Sequence, residues 1–432
     1  MKNKIFTVIT IVCLLTLNAF SAHHLEAEVM PDQKKKTLLN SLIADNATKS
    51  KSTSAAQQGD GLTSFVDISV ILQAAAGGST ATDSEIAQLQ TGAHDPRRRG
   101  FTFQGGEIAV SGTVDSNFRA EMYALFSESA VELEEAFFIA DALPWNMEVE
   151  LGYFLTEFGR NNPRHAHAAD FIDQPVVIGR LFGSEGQRAT GMRLGGVLST
   201  SWFSEWNISM QSPVGGLTSS FRNTGTSTIA GRPTVTRDTQ SFEDIITTLR
   251  LVNGTQIFGD WEMQFGLSAM QGANNTGTDS KTTMLGADLV FAWFSKKQKQ
   301  GYPFARIEAE VIQRNFEAAS GVQNGLTYSS EDIKDWGWII NGVYGFAHRW
   351  TGGLRYEQAG GEGASFTSLR SADSSRADRT RISPIVTFRP SEFSKVSLQG
   401  NFDKADHLTD KSQTSVWLAF EVLIGKHAAH NF

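Results

Sequence analysis

The chain has 432 residues, with 38 Lys and Arg against 46 Asp and Glu for a formal net charge of −8, and a single cysteine. That acidic balance argues against a nucleic-acid partner. Mean hydropathy is −0.22, and past residue 20 no apolar run nears the roughly 18 residues of a membrane helix. A polytopic helical membrane protein is therefore excluded, whereas a barrel, whose spanning strands are only half apolar, is not.

Residues 1–22 read as an export signal. Lys2 and Lys4 supply the positive start, Ile5 to Phe20 the apolar core, and Ala19 and Ser21 the small residues that place cleavage after Ser21. Cys13 falls inside this segment, so the mature chain has no thiol, which excludes disulfides, cysteine-ligated zinc and thiol catalysis. Residues 23–60 are polar and read as a periplasmic segment and linker: Lys34, Lys35 and Lys36 precede a short helical patch at Leu38, Leu39, Leu42 and Ile43, then a Ser/Thr/Lys-rich stretch.

From residue 61 to 432 the dominant signal has period two. Trp145, Met147, Val149, Leu151, Tyr153 and Leu155 alternate with Asn146, Glu148, Glu150 and Gly152. The pattern recurs at Trp261–Leu267 and Ala305–Val311, and ends with Val416, Leu418, Phe420, Val422 and Ile424. Such alternation puts one set of side chains on each face of a strand. About sixteen segments are expected, at 62–75, 101–112, 116–127, 132–141, 145–156, 188–200, 203–212, 241–252, 260–271, 282–294, 302–314, 335–346, 350–359, 380–390, 394–403 and 414–425. Each has the length that spans a bilayer when tilted.

The connections largely alternate between short and long, the long ones being 76–100, 157–187, 213–240, 315–334 and 360–379. With a periplasmic N-terminus every long connection falls outside the cell and nearly all tight turns in the periplasm, the layout of an outer-membrane barrel. The expected fold is all-β: a transmembrane antiparallel up-and-down β-barrel of about sixteen strands without a plug domain. Trp145, Trp202, Trp206, Trp261, Trp293, Tyr302, Trp336 and Trp350 sit near strand ends, where interfacial girdles lie. Pro384 falls mid-strand and lacks an N–H donor, so a bulge or a shortened strand is expected there. The polar phase sketches a lumen of mixed sign: Glu148, Glu150, Arg250, Glu262, Arg306, Glu308, Glu310, Arg381, Lys395 and Asp403.

Among groups that carry chemistry, His165 and His167 share a face of an extended segment, and with Asp170 or Asp173 offer the two imidazoles and a carboxylate that suit zinc; hydrogen-bonded loop histidines are the competing reading. His427 and His430 make a second pair. No nucleophile elbow occurs, and although His348 or His407 could supply a catalytic pair on a barrel wall, nothing in local spacing singles them out. No enzyme activity and no cofactor are expected.

Phe432 shares the even parity of the apolar face of the last strand, and a terminal Phe in that phase resembles the assembly signal of bacterial outer-membrane barrels. The segment from Glu157 to Pro175, with the His-Ala-Ala-His-Asn-Phe end, resembles a group of porin-like barrels, some labelled zinc-regulated outer-membrane receptors. More distantly the layout is similar to the sixteen-stranded phosphate-selective porins. The resemblance implies an outer-membrane location and partners in outer-membrane lipid and the barrel assembly machinery. It allows a homotrimer, and implies passage of small hydrophilic solutes or ions through a loop-narrowed lumen. It also makes loop 157–187 the pore constriction, with Arg160, Arg164, His165, His167, Asp170, Asp173, Arg180 and Arg188 as the residues that set its field. The alternative is an uptake receptor for a metal ion or metal chelate, not energy-coupled through a plug, since residues 23–60 are too short for one.

Overall fold

The structure, a computed structural model, describes residues 66–140, 143–215, 217–222, 228–229, 232–323, 325–363 and 376–425. The expectations for residues 1–22 and 23–60, for His427 and His430 and for Phe432 lie outside them. Sixteen antiparallel strands form one closed barrel. They are β1 (Val66–Ser79), β2 (Gly100–Thr113), β3 (Phe118–Phe126), β4 (Val131–Ala140), β5 (Met147–Leu155), β6 (Arg188–Val197), β7 (Phe203–Gln211) and β8 (Ile246–Gln256). The second half is β9 (Trp261–Ala273), β10 (Lys281–Lys299), β11 (Tyr302–Ala318), β12 (Glu331–Ala347), β13 (Trp350–Glu362), β14 (Arg379–Ser391), β15 (Ser394–Ala405) and β16 (Ser412–Gly425). Every expected strand is present. Two short ribbons, Thr228–Ile229 with Arg232–Pro233 and Gly321–Gln323 with Leu326–Tyr328, lie in long connections.

Alternation sets the two faces. Along β16, Val416, Leu418, Phe420, Val422 and Ile424 are exposed, while Gln413, Ser415 and Trp417, in the opposite phase, are buried. Exposed Leu354 and Tyr356, Ile382 and Val386, and Leu398 and Phe402 continue the outer belt across β13 to β15. A closed wall that is apolar outside belongs in a bilayer, because closure leaves no unpaired edge in hydrocarbon. The connections largely sort by rim: tight turns such as 348–349 and 392–393 lie at one rim and loops such as 156–187 and 212–245 at the other, with 127–130 and 406–411 short exceptions at the long-loop rim. Aromatics gather at the tight-turn rim: Trp145 is 82% exposed there, and Trp350 stacks on Phe388 at 4.6 Å. Trp336 differs; it lies buried over Gly360 of the next strand.

Several strand bounds differ from the sequence reading, and the seam shows one cause. The first strand, expected at 62–75, runs on to Ser79, because Gly77 and Gly78 pair with Trp417 and Val416 of β16. A Cβ at Gly77 would lie 2.1 Å from the Val416 carbonyl oxygen and 2.3 Å from the Trp417 ring. Gly77→Val is expected to cost about 1–3 kcal/mol through overpacking. It should lower the temperature at which the folded band is lost in heat-modifiable gel mobility, and an unchanged temperature would contradict this close approach.

The expectation at Pro384 is corrected. Strand β14 runs unbroken through it, and the register to β15 is the same on both sides of the gap between Ile382 and Ile385. Gly400 leaves room opposite the ring, and the Ser383 hydroxyl bonds Asn401 at 2.7 Å. A missing ladder bond is thus tolerated without an inserted residue.

Two loops fold inward. In 80–99, Thr82 and Glu85 form a reciprocal cap on helix α1 (Asp83–Leu89), whose Ile86 and Leu89 pack on inward-facing Trp417. In 156–187, Pro175 precedes helix α2 (Val176–Phe182), and Gly183 at φ 91° ends it. Such a start and stop suit Pro and Gly. Val177, Ile178, Leu181 and Phe182 of α2 pack with Phe158 and Phe221 against Ile246, Met270, Met284, Ile312 and Ile339 on the inner wall. Each such side chain contributes about 1.5–3 kcal/mol on burial. This apolar patch inside the barrel was not expected from the mixed-sign lumen.

Candidate functional site

Segment 156–187 crosses the lumen, and its charges match the wall patches they meet. It starts at Phe158-Gly159-Arg160. Gly159 adopts φ 62°, and a Cβ there would lie 1.7 Å from Glu310 Oε1, so only glycine lets the chain reach this carboxylate. The Arg160 and Asn161 amides donate to Glu310 at 3.1 Å each. The Arg160 guanidinium donates to Glu308 at 3.0 Å and to Gln264 at 3.1 Å, and Arg164 reaches Glu308 at 3.4 Å. Here two loop arginines meet two acids of β11.

The next stretch meets the acidic wall of β2 and β4. His165 Nε2 lies 2.8 Å from Glu135, and its Nδ1 lies 3.2 Å from Glu107. His167 Nδ1 is also 3.2 Å from Glu107. The position of Glu134 and Glu135 depends on a bulge. The β3–β4 register shifts between Tyr123 and Ala124, which face Glu135 and Leu133, so Glu134 is the inserted residue. Both glutamates are buried as a result, which strict alternation would forbid. Burial presses the His165 pKa down, but Glu107, then Glu134 and Glu135, outweigh it and hold it well above the ordinary imidazole value.

Asp170 does not join the histidines. Its carboxylate takes the Arg306 guanidinium of β11, so the expected ligand set of His165, His167 and Asp170 is corrected: Glu107 stands where Asp170 was expected. Among the described residues, the groupings whose ligand atoms all lie within 4.8 Å of one another are Glu107 with His165 and His167, and His94 with Glu134 and Glu185.

The far end meets an arginine wall. Asp173 is fully enclosed. Its Oδ1 accepts from Arg355 and, at 2.7 Å, from Gln399; its Oδ2 accepts from Arg381 at 2.8 Å and Asn401 at 2.6 Å. Burial alone would raise its pKa, but Arg355 and Arg381 win and hold the carboxyl well below the usual range. Burial, with Asp173 next, pushes the carboxyl of nearby Asp95 up to about 6. Val176, the first residue of α2, donates its amide to Glu357 at 2.6 Å. Arg379 and Arg381 share Asp403 and both donate to the Leu89 carbonyl at the end of α1, which ties the two inward loops together.

Of the remaining expected residues, Arg180 donates to the Ala377 carbonyl at 2.6 Å, and Arg188 pairs with Glu185 at 2.8 Å. His348 and His407 lie in connections at opposite rims, so they form no pair. Sequence reasoning missed Glu107, Glu134, Glu135, Arg355, Glu357, Gln399 and Asn401. The adjacent Glu134 and Glu135 were a readable signal, since two consecutive acids break period two.

No family model matches the chain. An uncharacterised protein of Aquifex aeolicus (strain VF5) is 24% identical over 391 residues, spanning 85% of this chain and 80% of that one. Among solved structures, the outer-membrane channel DcaP of Acinetobacter baumannii is similar with a TM-score of 0.53 at 12% identity, covering 83% of this chain and 97% of its own. The anion-selective porin from Comamonas acidovorans gives 0.51 at 11% identity, covering 83% and 99%. At these identities the likeness is one of fold: the chain has the sixteen-stranded barrel architecture of outer-membrane porins.

Proposed function

We propose that this chain is an outer-membrane porin that passes small hydrophilic solutes or ions by passive diffusion, through a lumen narrowed by segment 156–187. The observation that carries this reading is the segment's path from the acids of β2 and β4 to the arginines of β13 and β14, held by charge pairs at each end. Opposed charges across a narrow passage create a transverse field that favours polar solutes over apolar ones. In this reading residues 1–22 direct export, Phe432 is recognised by the barrel assembly machinery, the tight-turn rim faces the periplasm, and the barrel works as a homotrimer in outer-membrane lipid. Single-channel recording in planar bilayers, with salts of different cation and anion size, tests it. Discrete steps that shrink with ion size are expected, and zero conductance would overturn the porin reading while leaving the fold intact.

A receptor for a metal ion or chelate is the second reading, favoured by the grouping of Glu107, His165 and His167. Solute-independent conductance in common salts separates the two.

A further inference from the structure

Glu107 Oε2 lies 3.2 Å from Nδ1 of both His165 and His167, and the three ligand atoms fall within 4.8 Å of one another. In a tetrahedral zinc centre with bonds of about 2.0 Å, ligand atoms are separated by roughly 3.3 Å. The spacing of Glu107 to each imidazole is therefore already that of a coordination shell. The outer partner is present too. His165 Nε2 lies 2.8 Å from Glu135, and an imidazole that donates Nε2–H to a carboxylate turns a bare Nδ1 lone pair toward the metal.

Two further facts point to a cation. Among the described residues, Glu107 Oε1 and Glu134 Oε2 are buried with no donor within hydrogen-bond distance, Glu134 Oε2 lying 3.7 Å from His165 Nδ1. Glu107, Glu134 and Glu135 also converge on His165, while His94, 3.6 Å from Glu134 and 3.8 Å from Glu185, and Arg188, 3.6 Å from Glu134 and 2.8 Å from Glu185, face the same acidic wall. Carboxylates in such excess, taken out of water, call for a compensating charge.

We propose that Glu107, His165 and His167 form a resident site for Zn²⁺ or a similar borderline divalent ion, which fastens the lumen-crossing segment to β2. Two imidazoles with one carboxylate suit zinc rather than Mg²⁺ or Ca²⁺, which take oxygen ligands. An adjoining cleft is lined by His94, Glu134, His165 and Arg188. Glu135 is a positioning residue that acts through His165. Because the ligands are buried where loop meets wall, the ion is held, not carried through. The proposal stands whether or not the barrel conducts.

The test uses the full chain folded in detergent, stripped with a chelator and titrated with ZnCl₂, with metal content measured after gel filtration. The wild type should retain zinc, and His167→Gln and Glu107→Gln should each lose one equivalent. Glu135→Gln should weaken binding roughly 10–100-fold. Asp170→Asn, and the double change His427→Gln with His430→Gln, should leave binding unchanged. Substituted Co²⁺ should give the intense visible absorption of a four-coordinate site. Heat-modifiable mobility checks that each variant is folded. No retained zinc in the wild type would overturn the site, as would zinc kept in full by folded His167→Gln, or a Co²⁺ spectrum typical of six oxygen ligands. Protonated histidines alone would then neutralise the carboxylates.

Discussion

Asp173→Asn is expected to loosen residues 171–174 from the arginine-bearing wall and to raise single-channel conductance. Asp173 accepts from Arg355, Arg381, Gln399 and Asn401, all buried. The amide keeps the shape of the carboxylate but removes its charge, leaving Arg355 with Glu357 and Arg381 with Asp403. Because each arginine keeps a carboxylate, the loss is that of hydrogen bonds to a charged group, about 1.5–3 kcal/mol, and about 1.4 kcal/mol is tenfold in an equilibrium. The ratio of docked to undocked segment should then fall by roughly ten- to a hundredfold. The barrel should stay folded, because α2 is anchored separately by apolar contacts to β8 through β12. Cutting at Phe171 by a protease that cleaves after aromatic residues should therefore increase while Phe182, within α2, stays protected. A second charge removal, Arg355→Gln with Asp173→Asn, should recover part of the loss, and the cycle gives the coupling directly. Unchanged conductance and unchanged cutting in Asp173→Asn would show that the ion pairs do not hold the segment.

The same residue fixes a pH dependence. Arg355 and Arg381 hold its carboxyl below the ordinary range once docked, against the contrary effect of burial. A depressed pKa means that the docked state gains stability above the free value near 4 and loses it only as pH falls further. The contribution of Asp173 to docking should be constant from pH 7 down to about 4 and decline only in stronger acid.

How far the sequence carried the fold depended on where each signal lies. Wall strands announce themselves because lipid outside and water inside force a period of two, and the loops announce their rim by length. This is why β2 through β16 fall within a few residues of expectation. Errors arise where a contact between distant segments decides. Gly77 and Gly78 look like the end of a strand until Val416 and Trp417 pair with them. Pro384 looks like a break until Gly400 is seen opposite. Ile246, Met270, Met284, Ile312 and Ile339 look like noise in a polar phase until α2 covers them. The site was half legible for the same reason. His165 and His167 are adjacent in sequence and stand out, whereas Glu107 and Glu135, which they meet, lie 58 and 30 residues away. Asp170 was the acid nearest in sequence, but an extended loop turns successive side chains toward different walls, and Arg306 takes it.

Leu398→Arg separates a membrane wall from a soluble one more sharply than any loop variant. Leu398 lies mid-strand in β15, is 52% exposed, and pairs laterally with Val386 and Leu418, both in the outer belt. In water an arginine at such a position would change stability by less than about 0.5 kcal/mol. At the lipid face of a barrel near the bilayer midplane it costs about 2–4 kcal/mol, since the guanidinium must leave water or drag water with it. Measured as urea unfolding in phospholipid vesicles, Leu398→Arg should shift the transition to clearly lower denaturant, whereas Phe393→Arg, in the turn between β14 and β15, should shift it little. The contrast follows depth, because snorkelling to the headgroups is short from the turn and long from mid-strand. Equal effects at the two positions would mean that the exposed belt of β13 to β16 faces water, and the bilayer would lose its claim on this surface.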